Sequence, residues 1–259
     1  MKYNSAPAVL QALKRSEACG VIIYEGPSKI DGKPIVAIAN RITQSSANTK
    51  TGAMVQTFIM RQDIAPHKAL KTGDDSSVCG NCQLRPIEGN ATRCYVRVYQ
   101  APLATWNAYK RGRYLKPGID FPLNLLPSLF EGLAVRFGSY GDPYAVPVRH
   151  WLPMAQKART WTGYSHQWRK AGKTLAKLCM ASADTVADVK MANAKGWRTF
   201  RVKKFNEPMQ ASEFSCPASK EAGQRTDCAN CGLCKGASIQ ARNPVINDHG
   251  ALKARGATI

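Results

Sequence analysis

The chain has 259 residues, 37 of them Lys or Arg against 17 Asp or Glu, for a formal net charge of +20. A chain this long buries most of its apolar surface in one large domain, which separates it from the short secreted scaffolds that disulfides staple together. Its opening, MKYNSAPAVLQALKRSE, is polar and basic, and no apolar run is long enough for a signal-peptide core or a membrane span, so a cytoplasmic, reducing location without a membrane partner is expected.

In chain order, residues 6 to 17 (APAVLQALKRSE) read as a helix. Val21 to Tyr24 and Pro34 to Ala39 are β-rich runs around a Gly, Pro and Asp-rich stretch, the pattern of a hairpin with a long turn. Ser45 to Gly52 is a polar loop and Met54 to Met60 a buried strand. The loop over residues 66 to 94 contains Gly73, Gly80 and Gly89, and so long a connection is uncommon in a compact domain unless it wraps around something. Tyr95 to Tyr114 reads as helical, Leu133 to Gly138 as a strand, Val148 to Ala158 as a helix in spite of Pro153, and Thr160 to Tyr164 as a strand. A helix near Gly172 to Lys177, a strand at Leu178 to Ser182, a helix at Val186 to Ala194 and a strand at Arg198 to Val202 follow. Strands alternating with helices argue for parallel βαβ units. The expected fold is therefore α/β, an open parallel sheet or partial (β/α) barrel with its chemistry at the carboxyl ends of the strands. From residue 237 onward the composition is rich in Ala, Arg, Gly and Lys, and loose order is expected.

Seven of the nine cysteines fall into two groups. Cys79, Cys82 and Cys94 sit in CGNC…RCY, and Cys216, Cys228, Cys231 and Cys234 in CPASKEAGQRTDCANCGLC. Cysteines two residues apart on a tight turn aim both sulfurs at one centre, as a soft-ligand metal requires. Four thiolates close a shell, around zinc or an iron–sulfur cluster alike, whereas three leave one position open for another ligand. CANCGLC is closer to a ferredoxin-type run than to two separated zinc knuckles, and so favours a 4Fe–4S cluster with zinc as the alternative. Cys19 and Cys179, outside both groups, read as ordinary packed thiols.

The charge favours polyanions, above all nucleic acid, through counterion release. Trp106, Tyr109, Lys110, Arg111, Arg113 and Tyr114 interleave rings and cations as single-strand binders do, although WNAYKRGRY equally suits a solvated amphipathic helix. Asp142, in a Gly-Asp-Pro that is also an ordinary turn, follows an apolar strand. His166 and Trp168 in GYSHQW suit either a substrate pocket or a half-buried strand end. Asp184 reads as a helix N-cap, and His67 and His150 as isolated surface or core histidines. Arg136, Arg198, Arg201, Lys203 and Lys204 suit a phosphate-binding face or a solvated one. There is no Walker loop, GxGxxG, HExxH or GxSxG, which leaves nucleotide hydrolysis, dinucleotide redox and the common hydrolases unsupported.

The succession NTKTG, strand, cysteine loop ending in CY, RFGSYGDP, TGYSHQW, SAD and CP…CANCGLC resembles the phage "gene product 88" family over roughly residues 45 to 236. That family in turn resembles a diverged branch of the radical S-adenosylmethionine enzymes, which are partial (β/α) barrels. The resemblance implies that Cys79, Cys82 and Cys94 hold a 4Fe–4S cluster whose free iron chelates S-adenosylmethionine. It further implies that Gly141 and Asp142 face the cosubstrate's ammonium, and that the four later cysteines hold an auxiliary cluster. The eleven residues between Cys82 and Cys94 exceed the spacing common in such enzymes, but lengthening a loop adds little closure entropy. The expected organisation is a helix and hairpin appendage over 1–44, an α/β core over 45–205, a four-cysteine segment over 206–236 and a basic tail over 237–259. The expected function is that of a phage-type iron–sulfur protein acting on or with nucleic acid, or else a non-enzymatic basic nucleic-acid binder with structural metal sites.

Overall fold

The computed structural model describes residues 1–44, 48–86 and 94–248. The start of the polar loop at residue 45, Gly89 of the cysteine loop and the last part of the basic tail lie outside the described residues. Helix α1 (Ala6–Lys14) is capped by the Ser5 hydroxyl, which accepts from the Ala8 N–H, and it buries Val9, Ala12 and Leu13. Strands β1 (Gly20–Pro27) and β2 (Pro34–Asn40) form the antiparallel hairpin, and β3 (Met54–Arg61) pairs antiparallel to β2. After β3 the chain forms two short helices, α2 (Pro66–Thr72) and α3 (Ser76–Cys79). Helix α4 (Ala101–Lys110) and strand β4 (Tyr114–Leu115) precede two 3-10 turns and β5 (Ala134–Tyr140). Then come α5 (Leu152–Lys157), β6 (Thr160–Ser165), α6 (Lys173–Leu178), β7 (Met180–Ala183), α7 (Val186–Ala194) and β8 (Thr199–Lys203). Strand β9 (Glu213–Ser215), the one-turn helix α8 (Cys228–Cys231) and strand β10 (Asn243–Asn247) complete the described chain.

All ten strands join one sheet in the order β4-β1-β2-β3-β5-β6-β7-β8-β10-β9. From β3 to β9 every neighbouring pair is parallel, so the protein is α/β with a mostly parallel sheet. Between β3 and β8 strand order follows chain order. Since parallel crossovers are right-handed, such winding brings successive connections to one face. Val135 and Phe137 of β5 look into that face, where Met154 of α5, Leu175 of α6 and Ala192 of α7 join one apolar core. Phe137 meets the fully buried Trp151 with ring centroids 5.2 Å apart. No helix is long and apolar enough to cross a membrane among the described residues.

Several expected elements take different bounds. Tyr95 to Tyr114 is not one helix: α4 begins only at Ala101, where Pro102 occupies the first turn, and the chain leaves it at Lys110. Pro153 sits in the first turn of α5 rather than interrupting a longer helix, because a missing N–H is harmless there. The hairpin of residues 1–44 continues the main sheet through β2 and β3 rather than standing apart. The segment after residue 237 is not loose throughout, since β10 inserts between β8 and β9 and Val245 is buried.

Candidate metal and substrate site

The three-cysteine loop leaves the carboxyl end of β3. Its first half is wound tightly by Arg85, whose guanidinium makes a two-pronged pair with the fully buried Asp75, at 2.8 and 2.7 Å, and donates to the carbonyls of Gly73 and Gly80. The Cys79 N–H donates to the Asp75 carbonyl at 2.8 Å, so Cys79 and Cys82 flank a turn anchored from both sides. Gly80 in that turn has φ +55°, and a Cβ there would collide with the Gln167 amide. No side chain fits. Gln167 itself donates to the Cys79 carbonyl at 3.4 Å, which ties the loop to the end of β6.

The turn after β5 packs beside this loop. The Asp142 N–H donates to the Val78 carbonyl at 2.6 Å, and a Cβ on Gly141, at φ +82°, would lie 2.7 Å from Ile59. The Asp142 carboxylate accepts the N–H of Tyr144 at 2.9 Å and the N–H of His166 at 2.8 Å. Burial pushes its pKa up, against the pull of these donors and the Ser165 hydroxyl. Asp142 therefore spans the carboxyl ends of β5 and β6 as a strut. His166 extends the cluster, with Nε2 3.8 Å from Cys82 Sγ and 3.6 Å from Asp184 Oδ1. Burial pushes the imidazole pKa down, but the Asp184 carboxylate and Cys82 outweigh it and raise it to about 10. Burial raises the thiols of Cys79 and Cys94, and Cys79 also feels the negative charge of Asp75, Cys82, Cys94 and Asp142.

The second cysteine group occupies the opposite end of the same strands. Cys216 and Cys228 pack with Met54, Ala134, Ala218 and Ala229, and Met54 and Ala134 are the first residues of β3 and β5. The NTKTG segment backs onto α8: the Cys228 and Ala229 N–H groups donate to the carbonyls of Lys50 and Thr51 at 3.0 and 3.1 Å. Asp227 caps α8 by accepting from the Asn230 N–H at 2.9 Å. Arg198 clamps the chain on both sides of Cys234, donating to the carbonyls of Leu233, Gly236, Ala241 and Arg242 at 2.7 to 3.1 Å. Burial lifts the Cys234 thiol to about 12, although its hydrogen bond with Tyr164 pulls the other way. All nine cysteines are free thiols.

Among the described residues, no three His, Cys, Asp or Glu side chains are arranged to hold a metal ion as they stand. The donor chemistry nonetheless fits a soft metal in both places. Each group gathers sulfurs that act on one another's charge, three of the four later thiols are buried, and no disulfide consumes any of them.

Other sequence expectations meet a different environment. Trp106 donates to the Arg61 carbonyl, Tyr109 to Glu25, and Tyr114 is buried, so these rings pack against the sheet instead of presenting a stacking surface. Trp168 is buried and donates to the Ser182 carbonyl. The cap of α7 is Thr185, reciprocated by Asp188, which leaves Asp184 to face His166. Arg201 is buried on Glu213 and Glu207, and Arg198 on carbonyls, so neither lines a phosphate-binding face. Asp75 and Arg85 escaped the sequence reading. An Asp and an Arg bracketing a CxxC by a few residues are the signal that could have found them.

No protein-family model, curated protein or solved structure matches the chain.

Proposed function

We propose that this chain is an iron–sulfur protein of the radical S-adenosylmethionine type, built on a partial (β/α) barrel and working on or with nucleic acid. Cys79, Cys82 and Cys94 would hold the open cluster, and Cys216, Cys228, Cys231 and Cys234 a closed one. One observation carries the reading. The two cysteine groups stand at opposite ends of one run of parallel strands, and the three-membered group lies at the carboxyl ends, where α/β enzymes keep their chemistry. The order of motifs along the chain supports the same reading, and the charge of +20 supports a polyanionic partner.

A cluster bound at the three-cysteine loop would supply the reductive cleavage of S-adenosylmethionine. The chain's own residues position that chemistry. Arg85 and Asp75 fix the turn that carries Cys79 and Cys82, and Gln167 fixes that turn against β6. Both Asp142 oxygens accept backbone N–H groups, so Asp142 acts as a positioning residue, with Gly141 allowing the close approach to β3. His166 holds a proton at Nε2 between Cys82 and Asp184.

A second reading draws on the four-thiol group alone. Four thiolates suit zinc as well as iron, and with zinc the protein would be a non-enzymatic basic nucleic-acid binder. Adding S-adenosylmethionine to the anaerobically purified, reduced protein separates the two. The radical reading predicts a changed electron paramagnetic resonance spectrum and formation of 5′-deoxyadenosine. An iron-loaded protein with neither response overturns the radical reading, and a colourless zinc protein favours the second.

A further inference from the structure

On the sheet face opposite the core helices lies an arginine that, among the described residues, pairs with no carboxylate, although the thiols of Cys228 and Cys234 lie near enough to act on its charge. Arg136 lies in mid-β5 between Val135 and Phe137, which point into the apolar core, so its own side chain projects from the other face. Ala134, on that same face, packs against the four-cysteine group. The Arg136 guanidinium lies over the Tyr164 ring, 5.4 Å from its centroid, and among the described residues it donates no hydrogen bond and meets no carboxylate. Other arginines held close to the core are engaged differently. Arg61, Arg85 and Arg201 each reach a carboxylate, and Arg198 reaches four carbonyls.

Three neighbours complete a site. Thr162 is the register partner of Arg136 on β6 and so shares its face; it is 1% exposed, and its hydroxyl has no hydrogen-bond partner. Gln56 is the register partner on β3. Tyr95, which follows Cys94, leaves 66% of its surface open. It nonetheless lies close enough to Arg136 for each to act on the other's charge. A guanidinium over the Tyr164 ring, beside an unsatisfied hydroxyl, has the donors for an oxyanion and a surface for a planar group next to it.

We infer that Arg136, with Thr162, Tyr95 and Tyr164, binds the carboxylate or phosphate of a small organic anion on the sheet face between the two cysteine groups. The assignment deepens the proposed function by naming the ligand class, and rests on it only in treating that ligand as the substrate. Two oxygens of the anion would accept from the guanidinium and a third contact would come from the Thr162 hydroxyl.

Calorimetric titration of the full-length, anaerobically purified protein with inorganic phosphate and, separately, with acetate tests this without any turnover. One of the two anions is expected to saturate a single site, and which one does so identifies the head group. Arg136→Gln should weaken that binding at least about tenfold, consistent with loss of a charge-assisted, two-pronged contact. Lys203→Gln, a change of equal charge on the far side of β8, should leave it unaltered. Thr162→Val keeps the side chain's shape and removes a hydroxyl that has no protein partner. It should weaken binding severalfold with an unchanged melting midpoint, and it decides the matter if Arg136→Gln fails to fold. Saturable binding with no response to S-adenosylmethionine would leave this site standing while the radical reading fell. No saturable binding, equal binding by wild type and both site variants, or loss of metal from Arg136→Gln with anion binding intact would overturn the inference. In the last case the guanidinium would be a counter-charge to the four-cysteine group.

Discussion

The carboxylate of Asp142 accepts the backbone N–H of His166 at 2.8 Å, and this bond joins the turn after β5 to the end of β6 beside the three-cysteine loop. Its other oxygen accepts from Tyr144, so both lobes of the side chain are engaged by the protein. Asp142→Asn keeps the shape but turns one lobe into a donor facing an N–H. We expect a stability loss of about 2 kcal/mol and loosened retention of metal at Cys79, Cys82 and Cys94. Urea unfolding checks the first, and an unaltered midpoint would show that the strut is dispensable.

Arg198 is the corresponding device at the other end of the strands. Its guanidinium satisfies four carbonyls, that of Leu233 just before the last cysteine and those of Gly236, Ala241 and Arg242 after it. Arg198→Met leaves those carbonyls without donors, and we expect about 3 kcal/mol of destabilisation together with faster release of metal to a chelator. Arg198→Lys should recover only part, since an ammonium cannot reproduce the planar fork. Equal chelator rates for wild type and Arg198→Met would contradict this.

Glu213 supplies a pH dependence with a definite sign. Burial pushes its carboxyl up, but the paired Arg201 overrides burial and holds it below the usual range. A carboxylate whose pKa is lowered by folding contributes stability that is present above its unfolded pKa, about 4.3, and is lost as pH falls through the folded value. Thermal melting should therefore decline below about pH 4.3. Glu213→Gln should flatten that limb while costing about 3 kcal/mol at neutral pH, because it leaves the buried Arg201 guanidinium with Glu207 as its one remaining carboxylate. A variant retaining the full acid decline would assign it to other groups.

The formal charge of +20 leads to a test of the nucleic-acid partner. Binding to DNA or RNA, followed by fluorescence anisotropy, should weaken steeply as salt rises and show little sequence preference from the charge alone. The rings of Trp106, Tyr109 and Tyr114 are engaged by the sheet, so substituting them should affect stability more than affinity. Undetectable binding at low salt would assign the charge to another purpose.

The parallel core was legible because its strands and helices alternate along the chain, and α7 begins and ends at the residues expected, Val186 and Ala194. Strand β10 was hidden by its setting: NPVIN lies in a basic, small-residue segment and gains its place only by pairing with β8 and β9. Local composition cannot show that. Asp184 was mistaken for a cap because it precedes the helix, whereas Thr185 with Asp188 forms the reciprocal pair that fixes the start. The cysteines themselves were readable from spacing. What spacing could not give is that NTKTG, at the amino end of β3, braces α8 at Lys50 and Thr51 across a long sequence separation.

The central claim is that the two cysteine groups are separate soft-metal centres at opposite ends of the parallel strands. Iron and acid-labile sulfide, assayed on anaerobically purified wild type, Cys94→Ala and Cys231→Ala, test it most directly. The account predicts two clusters' worth in the wild type, about half of it in soluble Cys94→Ala, and a poorly soluble, metal-depleted Cys231→Ala, because metal binding at the closing segment contributes to folding. A wild type without iron or sulfide, or a Cys94→Ala protein with the full complement, would contradict it.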